Sequence, residues 1–157
     1  MNSTSNFIDF REETYVALYR RWLIVDILGR DKKDNFVLTM QKGALFDYLL
    51  KNPKDMHSFL VSFERLHENS PYEDILYKND AEFGSYQDVS EFLQSMLLLE
   101  TEGYIEIKNI GLDFFIASKK LLVEIKTTQV DSWKTSLSLL KPLVGKSLNV
   151  LQKNCLR

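Results

Sequence analysis

Leu97-Leu98-Leu99-Glu100-Thr101-Glu102-Gly103-Tyr104-Ile105-Glu106-Ile107-Lys108-Asn109-Ile110-Gly111-Leu112-Asp113-Phe114-Phe115-Ile116 decides the fold, because the spacing of its apolar residues changes partway along. Behind Asp88, a capping residue, Val89, Phe92, Leu93, Met96 and Leu97 recur at helical spacing and are expected to face inward. Gly103 stands just past the end of that run, where a left-handed residue stops a helix. From Tyr104 the pattern alternates. Lys108-Asn109-Ile110-Gly111 supplies turn residues, and Leu112 to Ile116 returns as a second strand.

A helix that feeds a hairpin is the signature of a winged helix, and the upstream sequence supplies helices to precede it. From Glu12 to Leu28, Tyr15, Leu18, Tyr19, Trp22 and Leu23 recur at helical spacing, with Gly29 as the expected left-handed stop. The run from Trp22 to Leu28 is apolar nearly all round, Asp26 excepted, so this half of the helix is expected to be buried. After the charged turn Arg30 to Asn35, Phe36-Val37-Leu38 reads as extended, and Thr39 caps a helix carrying Leu45, Tyr48 and Leu49. Asn52-Pro53 ends it and opens the next, whose buried stripe is Met56, Phe59, Leu60, Phe63 and His67. Residues 69–88 have weak periodicity and read as a long connection with a short strand at Ile75-Leu76-Tyr77. Beyond Ser118 the expectation is helix almost to the end, with Leu122, Ile125, Trp133, Leu137 and Leu140 on one stripe, a break at Pro142, and Val144, Leu148 and Leu151 on the next. The expected architecture is therefore α+β, mainly α. A winged-helix-like domain spans residues 1–118, and a C-terminal helical extension, residues 119–157, completes the same compact unit.

Composition agrees with one such domain. The chain has 157 residues, 45% hydrophobic, with only 6 Gly and 3 Pro, which is too few for a loop-dominated fold or a many-stranded barrel. The single cysteine, Cys155, cannot pair within the chain, so a reducing, cytoplasmic compartment is expected. Neither a secretory leader nor a membrane span is read from the polar start or from any apolar window. Net charge is −2 but unevenly spread: residues 1–118 carry 12 Lys/Arg against 20 Asp/Glu, and residues 119–157 carry 8 against 2. Residues 64–102 alone hold ten acids against Arg65 and Lys78, a solvated face or a docking surface for a basic partner.

Three patterns carry possible chemistry. Gly145-Lys146-Ser147 resembles the end of a phosphate-binding loop, but Leu140 occupies the place of the first glycine and the preceding segment reads as helix. Asp113 with Glu124-Ile125-Lys126 resembles the core of PD-(D/E)xK nucleases, in which an acidic pair on adjacent strands holds Mg²⁺ and the lysine stabilises charge at the attacked phosphate. No proline precedes Asp113, and Glu124 and Lys126 read equally as solvated positions flanking Leu122 and Ile125 on a helix. His57 and His67 have no ligand-spaced neighbours, so neither a metal nor a cofactor is expected. The basic positions Lys119, Lys120, Lys126, Lys134 and Lys141 form the expected partner-facing or DNA-facing surface, with any DNA contact weak or indirect. A sequence-reading regulator is a further alternative, yet the helix after Thr39 offers bases only Gln41 and Lys42 early on.

Leu18-Tyr19-Arg20-Arg21-Trp22-Leu23-Ile24-Val25-Asp26-Ile27-Leu28-Gly29, then Leu38-Thr39, then Leu45-Phe46-Asp47-Tyr48-Leu49-Leu50-Lys51-Asn52-Pro53, resembles the middle components of bacterial ABC-three-component systems. Leu97 to Ile105 continues the likeness, which runs in order over roughly residues 14–125. The exit from the wing departs from it, with Ala117-Ser118-Lys119-Lys120 where a threonine and a glycine are usual. The resemblance implies a non-catalytic subunit between an SMC-like or Rad50-like ATPase and an effector such as a nuclease, in antiphage or antiplasmid defence of the Lamassu kind.

Overall fold

The computed structural model describes residues 3–63 and 86–155, with side chains for 14–63 and 89–154. The protein is mainly helical, with one two-stranded antiparallel sheet among these residues. The first helix, α1 (Ser3–Leu28), starts earlier than Glu12 and buries Tyr19, Trp22, Leu23, Ile24, Val25 and Leu28, as its all-round apolar second half requires. Asp26 stays at the surface and accepts a hydrogen bond from the Ser118 hydroxyl at 2.8 Å.

Gly29 ends α1 for a different reason from the one its position suggests. Its φ is not positive, and a Cβ there would meet the Val25 carbonyl and lie 2.9 Å from the Ala117 Cα. The residue is small because the sheet backbone passes against it. The turn that follows is held by Asp31, whose carboxylate accepts from the backbone N–H groups of Lys33 and Asn35 at 2.8 and 2.9 Å.

Phe36 to Thr39 is extended as expected and lies along the sheet. Phe36 bridges Arg30, Thr39 bridges Phe115, and the Ile116 N–H donates to the Leu38 carbonyl at 2.9 Å. Thr39 then caps α2 (Met40–Lys51), its hydroxyl accepting from the Lys42 N–H at 3.3 Å. Asn52 separates α2 from α3 (Pro53–Ser62), with Pro53 in the first turn and Met56, Phe59 and Leu60 buried. His67 and the stretch Ile75-Leu76-Tyr77 lie outside the described residues.

The helix α4 (Tyr86–Thr101) and the strands β1 (Ile105–Ile110) and β2 (Asp113–Ser118) form the expected helix-into-hairpin unit. Gly103 has φ +81°, the Tyr104 N–H reaches the Leu99 carbonyl at 2.9 Å, and the Gly103 N–H reaches Glu100 at 3.0 Å. That pair of bonds is a Schellman stop. Two details differ from expectation. Leu93 and Leu97 are exposed, because the buried stripe runs through Phe92, Ser95, Met96 and Leu99. The turn is Gly111-Leu112 between paired Ile110 and Asp113, two residues later than Lys108 to Gly111, with a positive φ at Gly111 alone, the pattern of a type II′ hairpin.

Residues 119–127 correct the expectation of continuous helix after Ser118, since they form neither helix nor strand. The Lys119 N–H donates to the Tyr104 carbonyl at 2.8 Å, which turns the chain away from β2. Leu122 and Ile125 pack against the core while Leu121 and Val123 stay outside. Only at Thr127, whose hydroxyl accepts from the Val130 N–H at 3.2 Å, does α5 (Thr128–Leu140) begin. A 3-10 turn over Lys141–Leu143 contains Pro142, and α6 (Leu148–Cys155) follows. Val130, Trp133, Leu137, Leu140, Leu143, Val144 and Leu151 join the same hydrophobic cluster as α1 to α4.

Candidate functional site

The strand geometry around Asp113, Glu124 and Lys126 bears directly on the nuclease pattern. Asp113 opens β2 at the exposed hairpin end, opposite Ile110. Glu124 and Lys126 lie in the unpaired 119–127 segment, both exposed, with Lys126 Nζ 3.9 Å from Glu124 Oε1. Both sides of β2 are occupied, one by β1 and the other by Leu38-Thr39, so residues 121–127 have no place beside it. Glu124 instead lines a small depression with Asp26 and Ile27 of α1. Asp26 meets Ser118, five residues along β2 from Asp113, which is roughly 17 Å at the strand rise. The structure does not bring the acidic pair together, and among the described residues no group of three His, Cys, Asp or Glu is arranged to hold a metal ion.

Gly145-Lys146-Ser147 joins the 3-10 turn to α6, so no strand leads into it. The Ser147 hydroxyl accepts from the Val150 N–H at 3.3 Å, and the Lys146 ammonium sits 5.6 Å from the Phe63 ring. Both polar groups are engaged with the chain itself. Of the basic positions, Lys119 and Lys120 follow the hairpin, and Lys120 sits 4.5 Å from the Tyr104 ring. Lys126 faces Glu124, while Lys134 and Lys141, seven apart, share one side of α5 and its extension. Lys42, in the first turn of α2, donates to the Val144 carbonyl at 2.8 Å. Burial holds its ammonium below the usual lysine range, and the nearby Asp113 carboxylate opposes that shift.

A polar cluster that the sequence reading did not single out lies deep between the helices. Arg20 and Arg21 on α1 both point to Asp47 on α2, with Arg20 Nε 2.6 Å from Oδ1 and Arg21 Nε 3.1 Å from Oδ2. Arg21 also donates to the Ser95 hydroxyl at 2.8 Å and lies 3.6 Å from Glu91, tying α4 to the pair. The Arg20 guanidinium rests 5.8 Å from the Trp133 ring of α5. Arg20 is 8% exposed and Asp47 2%, so four helices meet on a desolvated ion cluster. The signal was available: Arg20-Arg21 interrupts one apolar helix and Asp47 interrupts another, with opposite charge.

Among the described residues this cluster forms the floor of a groove bordered by α1, α2, α3, α4 and α5, where Leu18, Leu50, Leu98, Leu139 and Trp133 are interspersed with polar residues such as Gln94, Gln129 and Ser136. Its volume, about 1540 Å³, exceeds the roughly 300–1,000 Å³ of small-molecule pockets. A second apolar surface lies on the hairpin, where Leu112 is 100% exposed at the tip and Ile110 and Phe114 are about half exposed beside it. Comparison with protein-family models, curated proteins and solved structures gives no match for this chain.

Proposed function

We propose that the protein is a non-catalytic adaptor subunit on a winged-helix-like frame, holding an SMC-like or Rad50-like ATPase and an effector nuclease together in a cytoplasmic antiphage or antiplasmid complex. One observation carries the adaptor reading. The outward face of α4 presents Leu93, Leu97 and Leu98, and the hairpin tip presents Ile110, Leu112 and Phe114. In a DNA-reading winged helix, these are the places for Arg, Lys, Asn and Gln that meet bases and phosphates. Exposed leucines on the helix before the hairpin suit a protein partner and are a poor match to a polyanion.

The order of elements supports the frame: α1, an extended stretch on the open side of β2, α2, and later α4 leading into the hairpin. The identity of the complex rests on the sequence resemblance to the middle components of ABC-three-component systems. No helix among the described residues is long and apolar enough to cross a membrane. The test is affinity purification of the tagged full-length chain from its host, with mass spectrometry of what is retained. Co-purification of an SMC-family ATPase and a nuclease is expected. Recovery of neither, or tight sequence-specific DNA binding by the isolated chain, would overturn the reading.

A further inference from the structure

We infer that the groove bordered by α1 to α5 receives an amphipathic helix of a partner subunit, and that one carboxylate on the apolar face of that helix pairs with Arg20. The inference rests on the adaptor reading and adds the chemistry of the segment that binds. Arg21 is fully engaged, with Asp47, Ser95 and Glu91 on its three nitrogens. Arg20 is not. It spends only Nε on Asp47, and its terminal nitrogens have no hydrogen-bond partner among the described residues, although the side chain is 9% exposed and lines the groove.

A guanidinium buried to that degree and left half-paired is a ready donor to an anion, and the two-pronged geometry of its remaining N–H groups fits a carboxylate. Asp47 beneath and Glu91 at the rim balance the two guanidiniums in number, so the spare donors of the floor are the terminal nitrogens of Arg20 alone. The walls select the rest of the ligand. Leu18, Leu50, Leu98 and Leu139 stand among polar neighbours such as Gln94, Gln129, Ser132 and Ser136, a mixed lining that matches leucines spaced along one face of an amphipathic helix. A bare phosphate would leave these walls uncovered.

The test uses the full-length protein and two synthetic amphipathic helical peptides. Each presents leucines and one central acidic or amide residue on its apolar face, glutamate in one peptide and glutamine in the other. Fluorescence anisotropy is expected to give roughly 10- to 100-fold tighter binding for the glutamate peptide, the range for a charge-assisted bond in a desolvated site. Arg20→Met is expected to erase that preference, while Leu98→Gln, at a half-exposed wall position that the fold does not need, weakens both peptides alike. The wild-type comparison stands even if the Arg20 variant does not fold.

Equal affinity for the two peptides overturns the inference. So does failure of both to bind, which is the result expected if the chain's own acidic stretch fills the groove. A Leu98→Gln-sensitive homodimer in sedimentation would assign the groove to a second copy and overturn it likewise. Failure here with the ATPase still retained in affinity purification would remove the groove assignment alone. A glutamate preference without any ATPase retained would instead count against the defence complex.

Discussion

Two helices that both pack against α1 have opposite relations to the surface. In α2 every residue from Gly43 to Leu50 is buried, including Asp47, because α1, α3, α4 and α6 surround it. Among the described residues of α4 only the stripe Phe92, Ser95, Met96 and Leu99 is buried, and Leu93, Leu97 and Leu98 are exposed. Their sequences are similarly apolar, so composition does not separate a central helix from an outer one. The number of neighbouring elements among the described residues does, and the surplus leucines of α4 lie on the side with fewer of them.

The largest break in this contrast is expected at Asp47. Asp47→Ala leaves two desolvated guanidiniums facing each other, at a cost of about 3–5 kcal/mol in urea unfolding. Stability within 1 kcal/mol of the parent would show that the cluster is not buried in solution. The seam between the two helices is the next point to probe. A Cβ at Gly43 would lie 2.5 Å from the Phe92 ring and 3.3 Å from Ile116, so Gly43→Ala is expected to overpack it by about 1–3 kcal/mol despite the better helix propensity of alanine. A stabilised G43A variant would refute the close approach of α2 and α4.

Smaller effects test the electrostatics and the outer face. Asp113→Asn removes the carboxylate that opposes the burial shift of Lys42, so the lysine pKa is expected to fall further, followed by NMR of its side-chain methylene carbon. For a lysine lowered in the folded state, the unfolded chain binds the extra proton between the two pKa values. Stability therefore rises with pH through that window, and D113N widens it. An unchanged Lys42 titration would separate the two groups. Least of all, Leu97→Gln is expected to alter stability by no more than about 0.5 kcal/mol while weakening retention of the proposed ATPase partner. A large loss of stability would mean that this face of α4 is covered within the chain.

Much of the frame was legible in short-range chemistry. Pro53 divides two helices because it lacks an N–H, Thr39 starts one through its hydroxyl, and Gly103 stops another because its φ is positive. Helix was wrongly expected over residues 119–127, where Leu121, Leu122, Val123 and Ile125 supply apolar residues that no local rule distinguishes from a helical stripe. Val123, Ile125 and Thr127 are β-branched, and the chain leaves β2 through a bond to Tyr104, so extended backbone is cheap there. Of the candidate sites, the metal-binding pattern at Asp113, Glu124 and Lys126 depended on strand pairing. Spacing cannot report that pairing.

The sequence by itself determined the mainly helical class, the caps and breaks, and the helix that enters the hairpin, because each follows from hydrogen bonding and dihedral preference within a few residues. Tertiary structure alone decided that Leu38-Thr39 takes the free side of β2, that Arg20 and Arg21 converge on Asp47 from 27 and 26 residues away, and that α4 keeps three leucines outside. These outcomes depend on which elements compete for the same neighbour. Residues far apart in the chain settle that competition through desolvation and close packing.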